Sequence, residues 1–170
     1  AQSVRSLVAD LNFANEIGAV GVIVHLGSHQ GRGYEKVKEL LIDHVQQVIE
    51  KTPRQTKLVI ENSAGQRGKL SSTIAEIADV FEAVSHSTSS SPSGLSPRDE
   101  RLSDLGIEDL SSWPKDSKRL ALCLDTCHLF AAGYDIRDKK VVDSLVQELR
   151  ATRLLSRLVA IHVNDAKDPL

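Results

Sequence analysis

Leu58-Val59-Ile60-Glu61 decides the fold, because three apolar residues, two of them β-branched, lead directly into a carboxylate. A short apolar run without a polar face predicts a strand that is buried on both sides. The same pattern recurs at Val20-Gly21-Val22-Ile23-Val24-His25, Ala121-Leu122-Cys123-Leu124-Asp125 and Leu158-Val159-Ala160-Ile161-His162. We therefore expect four buried strands, each of which ends in a residue with an imidazole or a carboxylate.

Segments with apolar residues at helical spacing precede and separate these strands. They cover residues 4–17, 37–49, 74–81 and 141–149, and the 3.6-residue period predicts an amphipathic helix in each. The resulting order, αβαβαβαβ, is typical of a parallel sheet with right-handed crossover connections.

The polar residues at the strand ends favour one parallel fold over another. A doubly wound sheet concentrates its site at one crevice, whereas a TIM (β/α)8 barrel draws residues from the carboxyl ends of several strands. His25, Glu61, Asp125 and His162 follow the second pattern. We therefore predict an α/β fold in which residues 1–170 form part of a TIM barrel and supply about four of its eight βα units.

The spacing of the strand ends locates an insert. His25 and Glu61 are 36 residues apart and Asp125 and His162 are 37 apart, but Glu61 and Asp125 are 64 apart. The extra length, about 28 residues over one βα unit, coincides with a serine-rich segment that contains proline and glycine. Such a composition buries little apolar surface. We interpret residues 85–112 as an inserted surface loop.

Composition excludes several classes of protein. The chain has 21 Lys and Arg against 23 Asp and Glu and 41% hydrophobic residues, which is unlike a disordered polyelectrolyte or a broadly basic nucleic-acid coat. Two cysteines are too few for a disulfide framework, and no apolar run is long enough to span a membrane. We expect a cytoplasmic protein without a membrane partner. The absence of an initiating Met suggests a fragment.

The residues at the strand ends suit metal chemistry. His25, Glu61, Asp125, His128 and His162 offer the nitrogen and oxygen ligands that zinc, manganese and iron accept. A carboxylate can bridge two ions, and a metal pair can activate water and stabilise the leaving oxygen of a phosphodiester. Each residue alone is also compatible with a hydrogen-bonded structural role. Their recurrence at one rim favours a metal site and hydrolysis.

A soft zinc site is a weaker alternative. Cys123, Cys127 and His128 are close in sequence, but a buried cysteine is more often inert than a ligand.

Four motifs resemble the endonuclease IV family of apurinic/apyrimidinic endonucleases. In the order of that family they are HLGSH at 25–29, ENSAGQ at 61–66, CLDTCHLFAAGYD at 123–135 and HVNDAK at 162–167. The thirteen-residue motif is the most specific of the four, and the resemblance covers nearly the whole chain outside the serine-rich segment. It implies a TIM barrel with three zinc ions that cleaves double-stranded DNA on the 5′ side of an abasic site, leaving a 3′-hydroxyl, in base excision repair.

The resemblance also implies roles for individual residues. His25 is expected to bind zinc, and Glu61 to bridge two zinc ions as the catalytic carboxylate. Asp125 and His162 are expected to bind the second zinc, and His128 the third. Manganese is a possible substitute. The family has further ligands on strands before and after this segment, so the resemblance implies a central fragment of a protein that is monomeric at full length.

Two other functions are compatible with the sequence. A divalent-metal sugar isomerase or epimerase on a related barrel would also use a rim of histidines and carboxylates. An inactive, truncated paralogue would keep the motifs without a complete ligand set. Incision of abasic DNA separates the endonuclease from both, and isomerisation of an aldose would identify the second.

Overall fold

The structure, a computed structural model, describes residues 2–87 and 117–165. The helices are α1 (Gln2–Glu16), α2 (Tyr34–Glu50), α3 (Ile74–Ser87), α4 (Thr126–Ala131) and α5 (Lys139–Ala151). The strands are β1 (Gly21–Val24), β2 (Lys57–Glu61), β3 (Leu120–Asp125) and β4 (Leu158–His162). Short 3-10 turns at Gln66–Gly68, Ser117–Arg119 and Leu155–Arg157 connect these elements. The predicted alternation of helices and strands is confirmed.

The four strands form one parallel sheet in the order β1-β2-β3-β4. Sequential order and parallel direction are what a segment of a barrel requires, so the predicted fold class is confirmed. The register pairs Glu61 with Cys123 and Asp125 with His162. This alignment brings the ends of the last three strands to a common edge of the sheet.

The two faces of the sheet differ in what covers them. One face carries large side chains of β2 and β3, such as Leu58, Ile60 and Leu122, which pack in the main core with the helices. The other carries a small cluster of Val59, Ala121 and Cys123, with the partly buried Ala160 against it. Small residues keep this second face shallow at the end where Glu61 and His162 lie.

Burial on both faces is found for β2 and β3 but not for the outer strands. All six residues of β3 are buried, whereas Ile23 of β1 and Val159 and Ile161 of β4 are exposed. The apolar sequences of β1 and β4 therefore predicted that both faces of these strands are buried, and this prediction is wrong for their exposed residues. Each of these strands pairs with one other strand among the described residues, so neighbouring structure covers less of it.

The helix α4 was not among the predicted helices. It has only six residues and starts directly after β3, and so short a helix shows too few turns for a period to be recognised. Its start is set by Asp125, whose Oδ1 accepts a hydrogen bond from the His128 main-chain N–H at 3.0 Å. This is the usual geometry of an N-cap carboxylate.

The predicted insert overlaps the described residues only at its start. The helix α3 continues to Ser87, and the Ser85 hydroxyl donates to the Phe81 carbonyl at 2.7 Å. The rest of the 85–112 segment lies outside the described residues. Within 2–87 and 117–165, none of the helices is both long and apolar enough to cross a lipid bilayer.

Candidate metal centre

Parallel strands bring the sequence-predicted residues to one rim. Glu61, Asp125 and His162 are the last residues of β2, β3 and β4, and His25 directly follows β1. His128 lies in the first turn of α4, three residues after the capping Asp125. The carboxyl ends of parallel strands share an edge, so side chains that are far apart in sequence become neighbours.

Glu61 is at the centre of this group. Its Oε2 lies 3.5 Å from His25 Nε2, and its Oε1 lies 2.9 Å from His162 Nδ1 and 3.6 Å from His128 Nδ1. The residue is only 7% exposed, whereas the imidazoles on either side are more accessible. The two oxygens of one buried carboxylate therefore face imidazoles that come from different elements.

Asp125 lies beside this group and is held by the protein. Its Oδ2 is 3.8 Å from His162 Nδ1 and its Oδ1 is 3.9 Å from His128 Nδ1. The same two oxygens accept hydrogen bonds, Oδ1 from the His128 N–H and Oδ2 from the Asn164 amide. The carboxylate is thus fixed in orientation and close to both histidines.

Two overlapping groups have the composition of a metal site. One consists of His25, Glu61 and His128, the other of Glu61, Cys123 and His162, and in each the ligand atoms lie within 4.8 Å of one another. Imidazole nitrogen and carboxylate oxygen are common zinc ligands at about 2.0 to 2.2 Å. The contact of Glu61 with His25 at 3.5 Å and its contact with His162 at 2.9 Å are each short enough for both atoms to bind one ion. Glu61 is common to both groups, as a bridging carboxylate would be.

Cys123 is closer to this centre than the sequence indicated. Its thiol is fully buried, and this burial raises the pKa of Cys123, with the negative charge of Glu61 acting in the same direction. A protonated thiol is a poor ligand, so we interpret Cys123 as the floor beneath Glu61 and His162. The soft zinc alternative is not formed, because neither group found among the described residues contains Cys127.

Backbone hydrogen bonds hold the two loops next to the rim together. Leu70 N–H donates to Gly27 O at 3.0 Å, and His29 N–H donates to Gly68 O at 3.0 Å. The His29 ring also accepts from the Gly33 N–H at 3.2 Å. The loops after β1 and β2 therefore form one structure beside the candidate metal ligands, and the His29 ring orders the first of them.

Sequence reasoning did not identify the asparagines of this site. Asn164 donates to the Asp125 carboxylate, and Asn62 is hydrogen-bonded to the main chain of Asp125. Both lie inside the quoted motifs at 61–66 and 162–167. Their position within two residues of candidate ligands was the available signal, but spacing alone does not show which groups an amide contacts.

The chain is similar in sequence to proteins that are already known. The xylose isomerase-like TIM-barrel family matches residues 1–89. A "Probable endonuclease 4" of Methanoculleus marisnigri is 28% identical over 171 residues, covering 99% of this chain and 50% of that protein. A protein of the same name from Oleidesulfovibrio alaskensis is 30% identical over 166 residues, covering 97% of this chain and 46% of its own length.

A solved structure is also similar to this chain over nearly its whole length. The crystal structure of endonuclease IV from Thermus thermophilus superposes with a TM-score of 0.61 at 25% identity, covering 99% of this chain and 47% of that chain. The chain therefore spans about half the length of the relatives it matches. The resemblance that the four motifs indicated extends over nearly the whole chain in both sequence and structure.

Proposed function

This chain belongs to the xylose isomerase-like TIM-barrel family, and from that premise we propose that it carries part of the active centre of a zinc-dependent DNA repair endonuclease. The reaction is hydrolysis of the phosphodiester 5′ to an abasic site in double-stranded DNA, as part of base excision repair. The observation that carries the proposal is the position of Glu61, whose two oxygens face His25 on one side and His162 and His128 on the other.

Each residue of the rim would have its own role in binding metal. Glu61 would bridge two ions, His25 would bind the first ion, and Asp125 and His162 would bind the second. His128 would bind a third ion, although in the structure it also forms one group with His25 and Glu61. Bound zinc, or manganese in its place, would lower the pKa of water and stabilise negative charge on the phosphodiester oxygens. The protein itself orients these ligands and buries the bridging carboxylate.

The rest of the proposal concerns DNA and location. The net charge of −2 gives no broad attraction to the DNA backbone, so contacts with the duplex would be local to the rim. Two free cysteines, Cys123 and Cys127, suit a reducing compartment, and we place the protein in the cytoplasm. We propose a monomer for the whole protein, since a closed barrel leaves no open sheet edge.

The test is incision of a duplex that contains one abasic site, with an undamaged duplex as the control substrate. The complete reading frame that contains this chain should, with zinc, cut 5′ to the lesion and leave a 3′-hydroxyl that a DNA polymerase extends. Chelation of the metal should abolish the cut. The 170-residue chain alone should incise poorly, because five proposed ligands do not complete three zinc sites of about four ligands each. A zinc-loaded complete protein that leaves the abasic duplex intact would refute the proposal.

A sugar isomerase is the second candidate, because the chain belongs to the xylose isomerase-like TIM-barrel family. The same protein preparation should be assayed for interconversion of an aldose and a ketose. Isomerisation without incision would favour this candidate. Metal binding without either activity would instead identify an inactive paralogue.

A further inference from the structure

We propose that Asn62 is a positioning residue that sets the orientation of both Asp125 and His128 for metal binding. The inference rests on the metal centre of the proposed function and assigns a role to a side chain that is not itself a ligand. Asn62 follows Glu61 at the end of β2 and is only 2% exposed. It therefore lies between the proposed bridging carboxylate of Glu61 and the end of β3, where its side chain contacts Asp125.

The side-chain amide of Asn62 pairs with the main chain of Asp125. The Asp125 N–H donates to Asn62 Oδ1 at 2.7 Å, and Asn62 Nδ2 donates to the Asp125 carbonyl at 3.4 Å. The main-chain N–H of Asn62 also donates to Cys123 O at 3.3 Å. The amide thus continues the pairing of β2 with β3 by one step, using a side chain where the strand has ended. It fixes the backbone from which the Asp125 carboxylate projects.

The main-chain carbonyl of Asn62 orients the second residue. His128 Nδ1 lies 3.0 Å from Asn62 O. A carbonyl oxygen only accepts hydrogen bonds, so Nδ1 carries a proton in this arrangement, and in the neutral ring the lone pair is on Nε2. Histidines that bind metals usually donate the other ring N–H to a carbonyl or carboxylate in this way. The contact therefore selects the tautomer that can bind a metal through Nε2.

Asp125 links the two effects. Its backbone is held by Asn62, and its Oδ1 accepts from the main-chain N–H of His128. A shift of Asp125 would therefore move the start of α4 and the His128 ring with it. Asparagine suits position 62 because its amide offers one acceptor and one donor at the correct reach. Alanine offers neither, and aspartate keeps only the acceptor.

The experiment compares Asn62→Ala with Asn15→Ala in the complete protein that contains this chain. The Asn15→Ala substitution removes the same kind of amide. In the wild type this amide accepts a hydrogen bond from the Thr56 hydroxyl at 3.4 Å, before the start of β2 and away from the rim. Cobalt(II) is the probe, titrated against a chromophoric chelator, because its visible spectrum reports ligand geometry. Asn62→Ala should weaken cobalt binding by about 10- to 100-fold, the usual effect of losing a group that orients a metal ligand, and should shift the spectrum. Asn15→Ala should do neither.

A second variant guards against misfolding. If thermal melting shows that Asn62→Ala is unfolded, Asn62→Asp replaces it, because this variant keeps the acceptor for the Asp125 N–H. Its cobalt spectrum should differ from that of the wild type while its far-UV circular dichroism stays the same. Wild-type affinity and spectrum in a folded Asn62 variant would overturn the inference and leave the proposed function standing. A complete wild-type protein that binds no cobalt at all would overturn the metal centre of the proposed function, and the inference with it.

Discussion

His162 Nδ1 lies 2.9 Å from Glu61 Oε1, although 101 residues separate the two in sequence and their strands are not adjacent. The strand β3 runs between β2 and β4, so the two side chains meet above Cys123, which pairs with Glu61 on one side and Ala160 on the other. Cys123 and Ala160 both have small side chains. The contact therefore depends on small side chains beneath it as well as on the ends of the strands.

Replacing the central carboxylate should impair metal binding more than any other single change at the rim. We expect Glu61→Gln to weaken zinc binding by more than about 100-fold, since loss of a ligand should exceed the effect of a group that only orients one, about 10- to 100-fold. In the complete protein, turnover should fall much more than affinity for abasic DNA, because phosphate contacts hold the duplex independently of metal geometry. Zinc titration and incision kinetics measure the two effects.

Glu50→Gln is the matched control for this change. Glu50 is exposed at the end of α2, and its loss should leave both zinc binding and turnover as they are in the wild type. Wild-type turnover in Glu61→Gln would remove Glu61 from the catalytic role.

Enlarging the floor of the site should separate Glu61 from His162. Cys123→Leu adds volume to a fully buried position between them. We expect a loss of about 1 to 3 kcal/mol of stability from overpacking together with weaker zinc binding. Chemical denaturation of the metal-free chain measures the first effect and zinc titration the second.

Cys127→Leu provides the comparison, because Cys127 is only half-buried and lies outside both metal groups. It should cost less stability and leave zinc affinity unchanged. Equal effects of the two substitutions on zinc binding would argue against a floor role for Cys123.

The sequence predicted the sheet better than it predicted the contacts at its end. Apolar runs that stop at Glu61 and Asp125 identified β2 and β3 correctly, since a strand buried on both faces must be apolar throughout. In the equally apolar β4 two of five residues are exposed and none is fully buried, because burial depends on which neighbours cover a strand and its own composition does not specify them.

The site could be predicted as a group but not in its geometry. Placing polar residues at successive strand ends was enough to bring Glu61 and His162 to one rim, because parallel strands share an edge. The role of Asn62 follows from hydrogen bonds to the main chain of Asp125, 63 residues away. A single sequence contains no period or spacing that reports such a contact.

Gly21 is expected to be intolerant of any side chain. A Cβ at this position would lie too close to the main-chain oxygen of Lys57 and 3.0 Å from Val59 Cγ2, so β1 would have to move away from β2. We expect Gly21→Ala to lower the free energy of unfolding by about 2 kcal/mol or more, at the upper end of overpacking costs. Urea denaturation provides the measurement.

Gly18→Ala tests whether the effect is steric. Gly18 has a φ of +71° but nothing within 4 Å of an added Cβ, so only the left-handed backbone is penalised, by about 1 to 2 kcal/mol. A larger loss at Gly18 than at Gly21 would show that the contact with Lys57 is not limiting.

The ion pair between Asp135 and Arg137 should have a measurable effect at acidic pH. The Arg137 guanidinium hydrogen-bonds the Asp135 carboxylate at 2.8 Å through two nitrogens and lowers the pKa of Asp135 below its ordinary value of 3.8. A folded-state pKa below the unfolded one means that the pair stabilises the fold above pH 3.8 and loses this effect as the pH falls through the lower value. Carboxyl NMR titration should show Asp135 titrating below 3.8, and Arg137→Ala should return it towards 3.8. An identical titration in the variant would show that the guanidinium is not the cause.

The final prediction concerns association of the 170-residue chain. Val159 and Ile161 of β4 and Val163 directly after it have exposed apolar side chains, with Ile161 55% exposed. Among the described strands, β4 pairs only with β3. An apolar strand with an open edge promotes pairing between molecules, so the chain should form oligomers at micromolar concentration. Ile161→Lys should shift it towards monomer, because a charge on this strand would have to be desolvated in the contact.

Leu40→Lys is the matched control, since Leu40 is 51% exposed on α2, away from β4. Sedimentation velocity distinguishes the outcomes: equal dissociation by both substitutions would indicate general hydrophobic association, whereas an effect of Ile161→Lys alone would identify β4 as the contact.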